Sequence, residues 1–341
     1  MPHRGSQIIL CDLPIRLDTY VGCSHACEYC FAARKTDINK IRRGETVKAL
    51  AAWIAGQRTA ETRWCDWPIP LHWGGLSDPF QPCEASDGNS LACLGLFADS
   101  GYPVVISTKG RLVTEPPYLD RLRRCNAVVQ VSLVGPTLAA FEPGAPTVAE
   151  RLRMLTALSE AVKRTIVRVQ PYAPAYRQDV LAMLPRYREA GVYGVTVEAL
   201  KCFGKPFGPD MVRLSSEWVY PAEQLRRDFL VIREACAAHG LRFYAAENRL
   251  RGLGCNACCC GVDGLDGFEP NTANLNHLGP GETITYRPAM FQPGQGRPMA
   301  ASHQSTAIRA VFEKLSYRDV MEAAKRTRSY RVMMGLPVAE S

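Results

Sequence analysis

The feature that most constrains this chain is an alternation between two hydrophobic periods. Short β-branched runs are followed, six times, by longer stretches with helical spacing. The strand candidates are IRLDTYV (15–21), IPLHWGG (69–75), PVVISTK (103–109), AVVQVSL (127–133), TIVRVQP (165–171) and GVTVEAL (194–200). Helix candidates lie between them at 45–57, 89–101, 116–125, 147–162 and 179–191. Thr147, with Glu150 three residues on, has the pattern of a capping box, and Gly191 stands at a C-cap position. Repeated strand–helix units imply parallel strands joined by right-handed crossovers. Strands that are apolar on both faces near their centres fit a buried parallel sheet. A doubly wound open sheet and a β/α barrel both satisfy the pattern, and periodicity does not separate them.

In either architecture chemistry gathers at the C-terminal strand ends. The unusual residues sit there. The first strand runs into a cysteine loop. The second ends in Trp73-Gly74-Gly75-Leu76-Ser77-Asp78-Pro79 and the third in Ser107-Thr108-Lys109-Gly110. The fourth carries Ser132, the fifth Arg168, Gln170 and Pro171, the sixth Glu198 and Lys201. One polar site ringed by strand ends explains them together. Past residue 215 the character changes. A helix candidate at 217–239 leads to a seventh strand candidate, LRFYAAE (241–247), then to a second cysteine group. Residues 262–300 are rich in Gly, Pro and Asn and read as long loops, and two short helices are expected at 305–315 and 316–334. This divides the chain into a core at 10–215 and a C-terminal extension at 216–341.

The chain has 14 cysteines in 341 residues, 47% hydrophobic and 22% charged. No apolar run is long enough for a membrane span, and the N-terminal stretch is too short for a secretory signal, so cytoplasmic residence is the expectation. In a reducing compartment clustered thiols bind metal or do chemistry more often than they pair. They cluster at Cys23, Cys27 and Cys30, and at Cys255, Cys258, Cys259 and Cys260. Cys11, Cys65, Cys83, Cys93, Cys125, Cys202 and Cys236 are scattered and read as small packed hydrophobes. The net charge of +8 permits a polyanionic partner. Basic clusters occur near Arg34 to Arg43, at Arg121 to Arg124 and at Lys325 to Arg331; each alone reads as a solvated face.

The loop YVGCSHACEYCF offers three thiolates, which suit zinc or an iron–sulfur cluster. His25 could complete a zinc tetrahedron, but C-x-x-x-C-x-x-C is not a usual zinc spacing. A four-iron cubane takes one ligand per iron, so three cysteines leave one iron open.

This loop resembles the signature of the radical S-adenosylmethionine (SAM) enzymes. The resemblance implies a partial (β/α)6 barrel and a [4Fe-4S] cluster held by Cys23, Cys27 and Cys30. SAM would occupy the open iron and be cleaved reductively to a 5′-deoxyadenosyl radical, with an electron donor such as flavodoxin or ferredoxin. Tyr29 would pack near the adenine. Gly74 and Gly75, with Ser77 on the same turn, would meet SAM through the backbone. Lys109 and Ser132 would reach its carboxylate and ribose. Arg168 is a candidate for cofactor or substrate, beside Glu198, Gln170 and Lys201. The phrases YVGCSHACEYCFAAR, SDPFQPCE, ISTKG and ENRLRGLG are similar to the spore photoproduct lyase-like branch, from about residue 10 to about residue 265. The enzyme that names the branch relays its radical through a cysteine and a tyrosine. The matching positions here are Gly75 and Phe31, which carry neither group, so the substrate is expected to differ: a nucleobase, nucleotide or nucleic acid. Cys83 is the candidate substitute for the relay.

GCNACCCG (254–261) places Cys255 and Cys258 in a C-x-x-C pair, with Cys259 or Cys260 able to add a third thiolate. An auxiliary iron–sulfur cluster on Cys255, Cys258 and Cys260 near the barrel mouth, a zinc site, and merely packed cysteines all stay open. So do two other readings of the whole chain: a radical SAM enzyme acting on a peptide or small metabolite, and a non-catalytic zinc and nucleic-acid-binding module.

Overall fold

The structure is a computed structural model that describes residues 1–4, 11–34, 37–59, 62, 68–214, 217–271, 274 and 276–277. The two helices expected at 305–315 and 316–334, Cys65 and the basic cluster from Lys325 lie outside the described residues.

Seven strands form one parallel sheet in chain order: β1 (Ile15–Leu17), β2 (Leu71–Trp73), β3 (Val104–Thr108), β4 (Ala127–Ser132), β5 (Arg164–Tyr172), β6 (Gly194–Ala199) and β7 (Arg242–Ala245). A two-residue strand, His3–Arg4, runs antiparallel along β1. A doubly wound sheet reverses its strand order at a switch point. Here the order never reverses, and β1 and β7 do not pair, so the sheet is an open, partial barrel. The six expected helices are α1 (Thr46–Ile54), α2 (Asn89–Ser100), α3 (Pro116–Leu122), α4 (Val148–Ser159), α5 (Arg177–Glu189) and α6 (Ala222–Ala238). No described helix is long and apolar enough to cross a membrane.

Two details differ from the sequence pattern. The sheet does not stop near residue 215, because β7 pairs in parallel with β6 and α6 is a further crossover. The helix expected from residue 217 begins at Ala222 instead. Residues Glu217–Val219 form a strand between Lys201–Phe203 and Val212–Leu214, in a small antiparallel sheet. Pro221 then caps the helix, in keeping with its missing N–H. The capping box is present: Thr147 Oγ1 accepts from the Glu150 N–H, and the Glu150 carboxylate accepts from the Thr147 N–H. Gly191 closes α5 with φ +77°.

Period-two alternation sorts the sheet into two faces. Ile15, Leu17, Leu71, Trp73, Val104 and Ile106 face the helices in the main core. Trp73 anchors it, with its ring 5.7 Å from Phe80 and 5.6 Å from Phe97. Burying each large apolar side chain there contributes roughly 1.5–3 kcal/mol. The inner face is layered. Near the strand N-termini it is apolar: Leu13, Val105, Val128, Ile166 and Tyr244 form a second core with Cys258, Cys260, Val262 and Phe268. Nearer the C-termini it is polar.

The segment 254–268 therefore fills the barrel floor. Thr196 Oγ1 donates to the Cys259 carbonyl (2.7 Å), Gln130 Nε2 to that of Cys260 (3.0 Å) and Arg164 Nη1 to that of Gly261 (2.9 Å). Gly261 has φ +80°, and a Cβ there would stand 2.6 Å from Ile166 Cδ1. Its backbone is seated against β5 as only glycine allows. The second cysteine group thus lies at the bottom of the lumen rather than at its mouth.

Candidate active site

The C-terminal strand ends open into a cavity of about 450 Å³. Cys23, Cys27, Cys30, Tyr29, Gly74, Gly75, Ser77, Lys109, Ser132, Arg168 and Glu198 all line it. Cys83 does not line it. It precedes the short helix Glu84–Asp87, and burial, followed by Asp87 and Glu84, pushes its thiol up to about 11. The relay role expected for Cys83 therefore has no support from its position.

The cysteine loop is held from outside. Gly22 has φ +86° and packs against the Lys40 carbonyl. Gln81, fully buried, accepts from the Ser24 N–H (2.9 Å) and donates to the Gly22 carbonyl (3.1 Å). His25 sits between two oxygen partners: Nδ1 lies 3.0 Å from the Gly144 carbonyl, and Nε2 lies 3.1 Å from Asp78 Oδ2, a charge contact without hydrogen-bond alignment. It is a clamp for the loop and is not free to act as a fourth ligand. Asp78 gathers the other side. It accepts from Phe80 N (2.9 Å), Thr108 Oγ1 (2.7 Å), Lys109 N (2.6 Å) and Gly110 N (3.2 Å). Burial alone would raise its pKa. His25 and these N–H groups outweigh burial and lower it to about 2.

The three thiols suit a cluster better than a single ion. A tetrahedral Zn²⁺ with Zn–S of about 2.3 Å places its sulfurs roughly 3.8 Å apart. Among the described residues one trio of ligand atoms lies mutually within 4.8 Å, and it is not Cys23, Cys27 and Cys30. At least one pair of their sulfurs stands more than 4.8 Å apart, as thiolates on separate corners of a cubane do. Burial pushes the Cys23 thiol up to about 12, helped by Asp78, and also raises that of Cys27.

Beside the loop, Tyr29 donates its hydroxyl to Glu142, which also meets Arg151 Nη2 (2.6 Å) and Lys109 Nζ (3.7 Å). Lys109 Nζ stands 5.7 Å from the Tyr29 ring centroid, within range of a cation–π contact. Burial works against the Glu142 carboxylate, but Lys109 and Arg151 hold its pKa below the usual range. Lys109 therefore already has a carboxylate partner, which an incoming one would share. Ser77 donates to the Tyr20 carbonyl (2.6 Å), so its hydroxyl braces the turn.

Below lies a layer with one residue from each of five adjacent strands. His72 Nε2 is 2.9 Å from Ser107 Oγ, and Ser107 donates to Gln130 Oε1 (3.1 Å). Arg168 Nη1 reaches the same Gln130 oxygen (2.9 Å), and Nη2 reaches Glu198 Oε2 (3.2 Å). Burial, then Arg168 and Arg16, holds the His72 pKa well below its usual value, so the imidazole is neutral. With the Ser107 proton directed at Gln130, the His72 proton is assigned to Nε2. His72 and Gln130 are inward positions within apolar runs, and alternation with Trp73 and Val131 is the signal that could have found them. Glu142 and Asp78 carry no such signal. Lys201 also lines the cavity; burial would lower it, but Glu247 and Glu198 hold its pKa up.

Asp18 supports the turn after β2 by accepting from Leu76 N (2.9 Å) and Ser77 N (3.2 Å) through Oδ1. Its buried Oδ2 has no hydrogen-bond partner among the described residues. Burial is the main cause of a pKa raised to about 6. A raised acid binds its proton more tightly in the folded state. Its contribution is complete below the unfolded carboxylate range and is lost as pH rises through about 6. Asp18→Asn keeps the Oδ1 acceptor. It is expected to gain about 1–3 kcal/mol over wild type at pH 7 and little at pH 4. Urea unfolding at the two pH values checks this, and an equal difference at both would refute it.

In the second cysteine group, Cys255 turns away from the others. It is exposed, its N–H donates to the Phe243 carbonyl (2.9 Å), and its Sγ accepts from Phe243 N (3.4 Å). It thereby covers the open edge of β7. Cys258 and Cys260 are buried with sulfurs 3.7 Å apart. The trio within 4.8 Å is Cys259, Cys260 and Asp12; the sequence pattern offered Cys259 only as an alternative to Cys260 and gave no signal for Asp12.

No family model matches the chain. An uncharacterized protein of Mycobacterium bovis and two of Mycobacterium tuberculosis are each 32% identical to it over 212 residues, 58% of this chain. The match spans 62% of the length of those relatives. Among solved structures the chain is similar to spore photoproduct lyase complexed with dinucleoside spore photoproduct, with a TM-score of 0.57 and 14% identity over 72% of this chain and 79% of that one. A mutant of that lyase with bound AdoMet and the same dinucleoside matches with a TM-score of 0.53 and 14% identity, over 71% and 80% of the two chains. The architecture is an open, partial β/α barrel. The chain shares this fold with spore photoproduct lyase.

Proposed function

We propose that the chain is a radical SAM enzyme whose substrate is a nucleobase, nucleotide or nucleic acid. The observation that carries this reading is the placement of Cys23, Cys27 and Cys30 together on the strand-end cavity, without the compact spacing of a single-ion trio and with His25 turned toward Gly144 and Asp78. A [4Fe-4S] group bound by these three thiolates would supply the electron that splits the carbon–sulfur bond of SAM, so that the 5′-deoxyadenosyl group can take a hydrogen atom from the substrate.

The chain's own residues bind, orient and exclude. Gly74 lets the main chain of the turn come close to a ligand, and the Tyr29 ring offers a flat apolar wall. Lys109 presents an ammonium to a carboxylate. Five cations line the cavity (Arg16, Lys109, Arg168, Lys201 and Arg251) against three carboxylates (Asp78, Glu198 and Glu217). That surplus favours anionic ligands, the SAM carboxylate and a substrate phosphate among them. The spore photoproduct lyase structures hold a dinucleoside photoproduct, which supports a nucleobase ligand here. Phe31, at the mouth, and Gly75 carry no group that could relay a hydrogen atom, so substrate and radical would meet directly.

Anaerobic reconstitution with iron and sulfide should give about four irons per chain and, with SAM and a strong reductant or flavodoxin, 5′-deoxyadenosine. A chain that takes up no iron at these cysteines and releases no 5′-deoxyadenosine defeats the reading. Affinity for an oligonucleotide should fall steeply with salt if phosphates are bound. Absence of such binding would move the substrate to a peptide or small metabolite.

A further inference from the structure

We infer that the barrel floor holds a second metal site, a single zinc-class ion bound by Cys259, Cys260 and Asp12, facing the cavity from below. The site does not depend on the reading of the first cysteine loop. Its ligand set differs from the Cys255, Cys258 and Cys260 that the C-x-x-C spacing suggests: Asp12 and Cys259 enter, and Cys255 and Cys258 leave.

Four observations converge. The two thiols and an Asp12 carboxylate oxygen lie mutually within 4.8 Å, the one such trio among the described residues. That separation is within a small side-chain adjustment of the roughly 3.5–3.8 Å edges of a tetrahedron with Zn–S near 2.3 Å and Zn–O near 2.1 Å. It is too tight for thiolates on different corners of a cubane. Asp12 is 2% exposed, and its Oδ2 has no hydrogen-bond partner among the described residues. A buried carboxylate with one bare oxygen is costly unless a cation faces it. Its other oxygen accepts from Asn274 Nδ2 (2.8 Å) and lies 2.8 Å from His277 Nε2. This is the outer support that orients a ligating carboxylate. The thiols are fixed through their own carbonyls, with Cys259 held by Thr196 and Cys260 by Gln130. Two thiolates and a carboxylate are a donor set that suits zinc.

Cys259 and Cys260 line the same cavity as Cys23, Cys27 and Cys30. Three protein ligands leave a fourth tetrahedral position, and the cavity is where it opens. Zinc sites with three protein ligands and an open position bind water or a ligand heteroatom. Such an ion would grip a nitrogen, oxygen or sulfur of the substrate on the floor while the other end is held above.

The test uses the full chain carrying Cys23→Ala, Cys27→Ala and Cys30→Ala, which removes the first site. Metal-free protein is titrated with Co²⁺. The expected result is about one cobalt per chain with thiolate-to-cobalt absorption and tetrahedral d–d bands. Adding Cys255→Ser should leave it intact. Adding Cys259→Ser and Cys260→Ser should abolish it. Asp12→Asn keeps the shape and one acceptor oxygen, and should weaken cobalt binding at least about 10-fold. If the double cysteine variant loses its circular dichroism signal, Asp12→Asn decides alone. Cobalt affinity unchanged in Asp12→Asn, binding lost with Cys255→Ser, or about four irons with sulfide in the triple variant would each overturn the proposal.

Discussion

Asp78→Asn is expected to destabilise the protein by about 3 kcal/mol or more at pH 7, although it changes one atom. The Asp78 carboxylate takes Phe80 N and Thr108 Oγ1 on one oxygen, and Lys109 N, Gly110 N and His25 on the other. An amide accepts on one side only. Either orientation aims an NH₂ group at buried donors. The pH dependence follows from its lowered pKa. A carboxylate depressed when folded stabilises the protein above the unfolded carboxylate range, and that stability is lost as pH falls toward about 2. The gap between wild type and Asp78→Asn should therefore be full at pH 7 and clearly smaller near pH 3. Urea midpoints at both values measure it. Because Asp78 also clamps His25, the variant should hold less iron after reconstitution. A gap below about 1 kcal/mol at pH 7 would show that the clamp is not rigid.

Gly74→Ala and Gly75→Ala should differ sharply, though the residues are neighbours. Gly74 has φ +91°, and a Cβ there would stand 2.2 Å from the Ser107 carbonyl oxygen and 2.9 Å from Pro79 Cδ. Main chain on β3 would have to move. A cost of about 2–4 kcal/mol is expected, with SAM affinity falling at least about 10-fold. At Gly75 the nearest atom is Arg16 Cδ at 3.4 Å, an ordinary contact. Gly75→Ala should stay within about 0.5 kcal/mol of wild type. Thermal midpoints and equilibrium dialysis with SAM separate the two. Similar behaviour at both positions would mean that the turn adapts.

The strands were legible because short β-branched runs such as VVIST and AVVQVS, apolar on both faces, are what a buried parallel strand requires. What decided between barrel and open doubly wound sheet was long-range pairing, which no local window contains. The first cysteine loop stands out in the sequence as a local motif, because Cys23, Cys27 and Cys30 fall within eight consecutive positions. The second group is arranged otherwise than its spacing suggests. C-x-x-C spacing favoured Cys255, but Cys255 is used up in covering Phe243 at the edge of β7. Its place in the compact trio is taken by Asp12, nearly 250 positions away in the chain. The same limit hid Glu142, which joins Tyr29, Lys109 and Arg151 from three separate elements. The antiparallel strand at Glu217–Val219 was mistaken for helix because a Trp-Val pair fits either period over three residues.

The floor segment also sets an order of events during synthesis. Gln130, Arg164 and Thr196 point into the lumen from strands made early, yet their acceptors are the carbonyls of Cys260, Gly261 and Cys259. A growing chain that has emerged only as far as β7 has every strand of the barrel but an unplugged, water-filled bore. Its apolar inner layer around Val105, Val128 and Ile166 is still wet. Final closure must wait for residues 254–268 to leave the ribosome and thread back inside.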